Sequence, residues 1–143
     1  MIREISIDCN DPNLVSSFWG KVLGWEPRQE EDWYWMAAPG ADERRDLALV
    51  FARVPEKKLG KNRVHIDICP VGADQLEELQ RLTSLGAVPV DVGQGDQSWV
   101  VLADPEGKRV LSVGETSRLS EASSARLLLC AALYGTPRGG AGL

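Results

Sequence analysis

The residues best suited to chemistry are the single histidine and the carboxylate beside it. His65 and Asp67 lie in an alternating stretch, RVHIDIC, at positions 63–69. Alternate residues of a strand point to the same side, so these two side chains are expected to share one side. An imidazole near a carboxylate can serve as a general base or donate a hydrogen bond to a ligand oxygen. We therefore predict a catalytic or anchoring role for both residues; the alternative is a structural imidazole bonded to Asp67 or to backbone.

A second polar pair lies at the start of the chain. Ser6 and Asp8 alternate with Ile5 and Ile7, which indicates a half-buried strand. We predict that Ser6 and Asp8 contact a ligand. For Asp8, a strand-end carboxylate that faces water is the favoured alternative.

Three of the five tryptophans fall on predicted strands. Trp33, Trp35 and Trp99 are candidates for the aromatic lining that small-molecule sites usually have. The alternative for these three is packing between sheet and helix. Trp19 and Trp25 lie on the first helix and its exit, which favours the core for both.

The elements that must position these residues follow one plan twice. A first helix of about three turns is predicted after Asn10-Asp11-Pro12, with its cap at Gly24. A second is predicted over 73–85, with Leu76, Leu79 and Leu82 inward and a cap at Gly86. Strand patterns occupy 2–8, 32–40, 46–54, 63–69, 96–107 and 108–113, and residues 118–134 suggest an extra helix.

An internal repeat supports this plan. The segment Ile5 to Asp8 matches Val64 to Asp67, and Leu23-Gly24-Trp25 matches Leu85-Gly86-Ala87. Trp33 through Gly40 likewise runs parallel to Trp99 through Gly107. Duplication of a unit too small to bury its own apolar face explains such order.

Composition excludes several classes of function. The 143 residues carry a net charge of -5, which disfavours a nucleic-acid binder. There is no apolar run of about 20 residues and no secretory signal pattern, so no membrane span is expected and the predicted location is cytoplasmic. The three cysteines show no metal-like spacing and indicate reduced thiols. Lys57, Lys58, Lys61 and Arg63 favour a solvated linker, with an anion contact as the alternative.

Three strings together resemble a known superfamily. D-x-x-D-P…F-W…L-G-W (8–25), V-P-E-K-K…K-N-R-V-H-I-D (54–67) and L-A-D-P-E-G (102–107) resemble glyoxalase-like members of the glyoxalase/bleomycin resistance protein/dioxygenase (vicinal oxygen chelate) superfamily. The resemblance implies an α+β fold of two βαβββ modules with curled mixed sheets, and a homodimer. We expect one domain over 1–116 (modules 1–56 and 57–116), a helical extension over 117–136 and a disordered tail over 137–143.

Many such proteins hold a divalent metal on the first and last strands of each module. By the resemblance, these four positions fall on Ser6, Val50, His65 and Leu111, so only His65 is a good ligand. A catalytic metal normally needs about three protein ligands. No cofactor is therefore predicted firmly; an incomplete divalent-metal site at His65 is the less favoured alternative, and Leu111 is expected to contact a ligand instead.

The favoured function is a small-molecule-binding protein with a tryptophan-lined cup and a degenerate metal site. The alternative implied by the resemblance is a metal-dependent lyase or dioxygenase, and whether any reaction is catalysed stays open. A third hypothesis is an interaction module that acts through its dimer face or its C-terminal helix.

Overall fold

The computed structural model describes residues 2–43, 45–60, 64–70, 72–91, 93 and 99–107, and the backbone of 109–113. They form two modules of the same order. The first contains β1 (Glu4–Cys9), α1 (Pro12–Leu23), β2 (Arg28–Gln29), β3 (Trp33–Ala37) and β4 (Ala48–Arg53). The second contains β5 (Ile66–Ile68), α2 (Gln75–Ser84), β6 (Val88–Pro89), β7 (Val100–Ala103) and β8 (Arg109–Val113).

Each module forms one four-stranded mixed sheet. The strand orders are β1-β4-β3-β2 and β5-β8-β7-β6, so the two sheets have identical topology. In both, the first strand pairs in parallel with the last, and the remaining pairs are antiparallel. The predicted α+β fold with two βαβββ modules is confirmed.

The first helix begins and ends where local chemistry requires. Asp11 caps it by accepting a hydrogen bond from the Leu14 N–H at 3.1 Å, and Pro12 occupies the first turn. Gly24 ends it in the left-handed region at φ 69°. Leu14 in the first turn is 45% exposed, whereas Phe18, one turn further on, is 3% exposed.

The second helix is shorter than predicted. It starts with a complete capping box between Asp74 and Glu77, which satisfies two backbone donors. The predicted inward row is wrong at Leu76, which is 63% exposed, whereas Leu82 is fully buried. The helix faces the core through Leu82 and Glu78, one turn of i, i+4 spacing apart, so Leu76 falls on the solvent side.

One apolar core joins the modules. Trp19 and Phe51 from the first module and Leu82 and Leu102 from the second are all 0% exposed and belong to the same cluster. Trp25 is 6% exposed, so the core assignment of Trp19 and Trp25 is confirmed. The described helices have 12 and 10 residues, and neither is long enough to cross a bilayer. The predicted C-terminal helix (118–134) and tail (137–143) lie outside the described residues.

Candidate functional site

The first sheet has one covered face and one open face. Helix α1 packs against β3 and β4 on the side of Met36, Leu49 and Phe51, each 3% exposed or less. Residues directly opposite one another in a sheet share a face, and successive residues alternate. Glu4, Ser6 and Asp8 are exposed while Ile5 and Ile7 pack against the core, so the open face carries the polar residues of β1.

Two rows of paired residues cross this open face and bring four predicted ligand contacts together. One row runs Ser6–Val50–Trp35–Arg28, and the next runs Asp8–Ala52–Trp33. Trp33 is 36% exposed and Trp35 is half-buried. Adjacent strands are about 4.8 Å apart, so Asp8 and Trp33 are separated by on the order of 10 Å. This face, defined by Ser6, Asp8, Trp33 and Trp35, is called the tryptophan face below.

An arginine at the outer edge of the sheet completes the tryptophan face. The Arg28 guanidinium carbon lies 4.6 Å from the centre of the Trp35 ring, a cation–π distance. Arg28 also donates to Glu43 at 3.1 Å and to Glu30 at 3.0 Å. The hydrogen bond to Glu43, with the nearby Glu30 carboxylate, raises the pKa of Arg28. No local sequence pattern predicts this contact, because it depends on the register between β2 and β3.

A cleft of about 390 Å³ opens at the carboxyl ends of β1 and β4. Asp8 lines this cleft and also ends a row of the tryptophan face, so the two surfaces meet at its side chain. Both lysines of the predicted linker cluster that the structure describes, Lys57 and Lys58, line it as well. The remaining lining residues are Cys9, Asn10, Val54, Glu56 and Glu106.

Hydrogen bonds to Asn10 and its neighbour fix the floor of the cleft. The Asn10 side-chain amide donates to the carbonyl oxygens of Val54 and Glu56, both at 2.9 Å. Arg53 donates to the Asn10 carbonyl oxygen at 2.7 Å. Glu106, from the β7–β8 turn, accepts from the Asn10 N–H at 3.1 Å and from the Asp11 N–H at 2.6 Å. Sequence reasoning recognised Asn10 only as part of a helix start and Glu106 only as part of a turn.

The second sheet carries the other predicted polar residues. His65 and Asp67 are both exposed, while Ile68 is 6% exposed and faces the core. Asp67 lies in a row with Ser112 and Val101. Among the described residues, neither His65 nor Asp67 makes a hydrogen bond to the other. The two predicted groups therefore lie in different modules, with Ser6, Asp8, Trp33 and Trp35 on the first sheet and Asp67 on the second. His65 and Trp99, which were predicted on strands, lie one residue before β5 and one residue before β7.

The register also locates the positions that carry metal ligands in related proteins. Ser6 and Val50 are direct partners on β1 and β4. In the second sheet the backbone of Leu111 is paired with Ile66 and Leu102. A hydroxyl, two aliphatic residues and one imidazole do not supply the three or so ligands that a divalent ion needs. Among the residues that the structure describes, no three His, Cys, Asp or Glu side chains are grouped to hold a metal.

The fold and the paired sheets define a class of proteins, and comparison with known proteins agrees. The model of a family described as "Glyoxalase-like domain" matches residues 4–111. The chain belongs to this glyoxalase-like family. No curated protein matches the chain significantly.

Several solved structures share the fold at low sequence identity. The fosfomycin resistance protein FosX of Listeria monocytogenes, complexed with Mn(II) and sulfate, has a TM-score of 0.58 and 14% identity over 84% of this chain and 98% of its own. A possible glyoxalase from Bacillus cereus has a TM-score of 0.58 and 15% identity, covering 80% and 97%. A glyoxalase/bleomycin resistance protein/dioxygenase family enzyme from Burkholderia phytofirmans has a TM-score of 0.56 and 12% identity, covering 78% and 96%.

Proposed function

We propose that the protein binds a small molecule with an apolar or aromatic body on the tryptophan face. The observation that carries this proposal is the register that puts Trp33 and Trp35 in adjacent rows with Asp8 and Ser6, on the face that α1 leaves uncovered. Aromatic surface beside a few polar groups is the usual composition of a small-molecule site. Ser6 and Asp8 would orient the ligand by hydrogen bonds.

In this proposal the second sheet supplies further polar anchors. His65 and Asp67 are exposed on the side opposite the core, so both can reach a ligand. His65 acts as a hydrogen-bond donor or general base, with Asp67 beside it, and Trp99 and Leu111 contribute apolar contacts. The cleft at Asp8 takes the polar end of the ligand, since its lining offers carboxylates and the amines of Lys57 and Lys58.

The proposed binding does not depend on a divalent metal. The donor set at Ser6, Val50, His65 and Leu111 does not fit such an ion, in contrast to the FosX protein that was solved with Mn(II). The expected result is an unchanged melting temperature on addition of Mn²⁺, Zn²⁺, Ni²⁺ or Fe²⁺. A rise of several degrees that is lost in His65→Ala would instead favour the metal-dependent lyase or dioxygenase.

The test of ligand binding uses a panel of monocyclic and bicyclic aromatic fragments. We expect saturable quenching of tryptophan fluorescence that chelator leaves unchanged. Trp33→Ala and Trp35→Ala should weaken binding of the best fragment by about tenfold each, or ~1.4 kcal/mol. Leu76→Ala, which shortens an exposed apolar side chain on α2, is the matched control. If the tryptophan variants bind the fragment as tightly as the parent does, the proposal fails.

We further propose that the protein is a cytoplasmic homodimer. The basis of this proposal is the homodimer that the resemblance to the glyoxalase-like family implies. Native mass spectrometry at micromolar concentration should show a species of twice the chain mass. A species of single mass at all concentrations would contradict the dimer and leave the binding proposal standing.

A further inference from the structure

Helix α1 of the first module is held at both ends by side chains of the second module. At its amino end, the Glu106 carboxylate accepts hydrogen bonds from the N–H groups of Asn10 and Asp11. At its carboxyl end, Arg81 of α2 donates to the carbonyl oxygens of Lys21 at 3.3 Å and Val22 at 3.1 Å. These backbone groups belong to the helix ends, where intrahelical partners are missing.

The charge at each end is the one that the helix dipole favours. A carboxylate is stabilised near the positive amino end of a helix, and a cation near the negative carboxyl end. Glu106 and Arg81 are therefore complementary to α1 in sign as well as in hydrogen bonding. A helix of 12 residues is about 18 Å long, so the two contacts are well separated.

Both residues are themselves held within their own module, Arg81 through its side chain and Glu106 through its backbone. Glu78, which is 7% exposed, accepts two hydrogen bonds from Arg81, at 2.7 and 2.8 Å. The hydrogen bond to Glu78 raises the pKa of Arg81, although burial acts in the opposite direction. The Glu106 N–H donates to the side chain of Asp104 at 3.0 Å, and Asp104 is 1% exposed.

These contacts set the orientation of α1 relative to the second module, which the shared apolar core does not. Hydrophobic packing is non-directional, whereas two hydrogen-bonded contacts about 18 Å apart set an orientation. Since α1 packs on the back of the first sheet, its orientation sets that of the tryptophan face. Asn10, whose N–H donates a hydrogen bond to Glu106, is also two residues from Asp8 at the cleft.

We propose that Glu106 and Arg81 are positioning residues that hold the tryptophan face at a fixed angle to the sheet that carries His65 and Asp67. The effect on binding rests on the function proposed above. The effect on module orientation does not, and it can be measured without a ligand.

The test measures residual dipolar couplings of backbone amides in the full chain. In the parent, amides of the two modules should fit one alignment tensor. In Glu106→Gln and Arg81→Met, each module should fit its own tensor, and the two tensors should differ. Glu31→Gln, an exposed residue with the same loss of charge, should behave as the parent. Arg81→Lys keeps the charge without the planar fork and should fall between.

A purely structural role gives a different result. If the variants melt at a lower temperature but both modules still fit one tensor, the contacts only stabilise the fold and the proposal is wrong. Should Arg81→Met fail to fold, Arg81→Lys and Glu106→Gln decide the matter by the same measurement.

The ligand arm uses the best aromatic fragment from the panel. Arg81→Met should weaken its binding by about tenfold although every residue of the tryptophan face and of the cleft is intact. If no fragment binds even the parent, the proposed function fails, while the dipolar couplings still decide whether the two residues position the modules. If a fragment binds and the variants reorient without any loss of affinity, the positioning role in binding is refuted.

Discussion

The two modules share a topology but have diverged on one face. The backbone rows that contain core residues correspond: Ile7–Phe51–Tyr34 in the first sheet matches Ile66–Leu111–Leu102 in the second. The adjacent rows on the open side differ, with Asp8–Ala52–Trp33 opposed to Asp67–Ser112–Val101. The core rows must stay apolar to bury the helices, whereas the open rows are free to change chemistry. Duplication has thus kept the packing and separated the functional groups.

The strands of the second module are also shorter and less regular. β1 and β4 have six residues each, whereas β5 has three, and the β7–β8 pairing shifts register between Leu102 and Ala103. A register shift of this kind marks a bulge, which re-aims the residues that follow it. The first sheet offers an aromatic surface at Trp33 and Trp35, and the second offers Asp67 on its short first strand.

The largest expected effect comes from truncating one buried core side chain in each module. Phe51→Ala should lower the free energy of unfolding by about 3–5 kcal/mol, and Leu102→Ala by about 2–5 kcal/mol. Because one core cluster joins the modules, each variant should lower the stability of both modules in a single urea transition. Separate transitions by tryptophan fluorescence and by amide exchange would show instead that the modules fold independently.

The glycines that follow the two helices differ in backbone conformation. Gly24 has φ 69°, inside the left-handed region that other residues enter at moderate cost, whereas Gly86 has φ 106°, outside it. Gly86→Ala should therefore cost about 2–3 kcal/mol, and Gly24→Ala about 1 kcal/mol. Thermal melts of both variants test this order. Equal losses would mean that the second exit relaxes toward the first.

The smallest expected difference lies at the helix starts. Asp74 takes part in a complete capping box with Glu77, while Asp11 accepts one hydrogen bond from Leu14. Asp74→Ala should lose about 1–2 kcal/mol and Asp11→Ala about 0.5–1 kcal/mol in urea unfolding. Asp11→Asn, which keeps a capping oxygen, is the control for the first helix. A larger loss at Asp11 would indicate that its side chain supports the Glu106 contact as well.

Much of the fold was predictable from local pattern. Asp11, Pro12 and Gly24 indicate α1 because capping and the left-handed exit depend on neighbouring residues alone. The two-residue strands β2 and β6 were not predicted, because so short a segment has no periodicity.

The candidate site was predictable only in its residue types. Alternation predicted that Ser6 shares a face with Asp8, and that His65 shares one with Asp67. Only the strand register shows that the rows containing Trp33 and Trp35 cross the face of Ser6 and Asp8. The matching of Trp33 with Trp99 does not follow the register, which puts Val101 opposite Asp67 where Trp33 lies opposite Asp8. The match between Trp33 and Trp99 was predicted from the turns that follow them. It fails because the β3–β4 and β7–β8 hairpins differ in length. Contacts of Glu106 and Arg81 with α1 join residues far apart in sequence, which no local pattern reveals.

The parallel pairing of first and last strands constrains how the chain acquires its structure during synthesis. β1 leaves the ribosome about forty residues before β4, its only partner in the described sheet. The same order of synthesis holds for β5 and its partner β8. Each module must be nearly complete before its opening strand is hydrogen-bonded. The hydrogen bonds that Glu106 accepts at the amino end of α1 form later still, because Glu106 is among the last described residues to be made. Nascent chains arrested before residue 106 should therefore lack these hydrogen bonds at the amino end of α1.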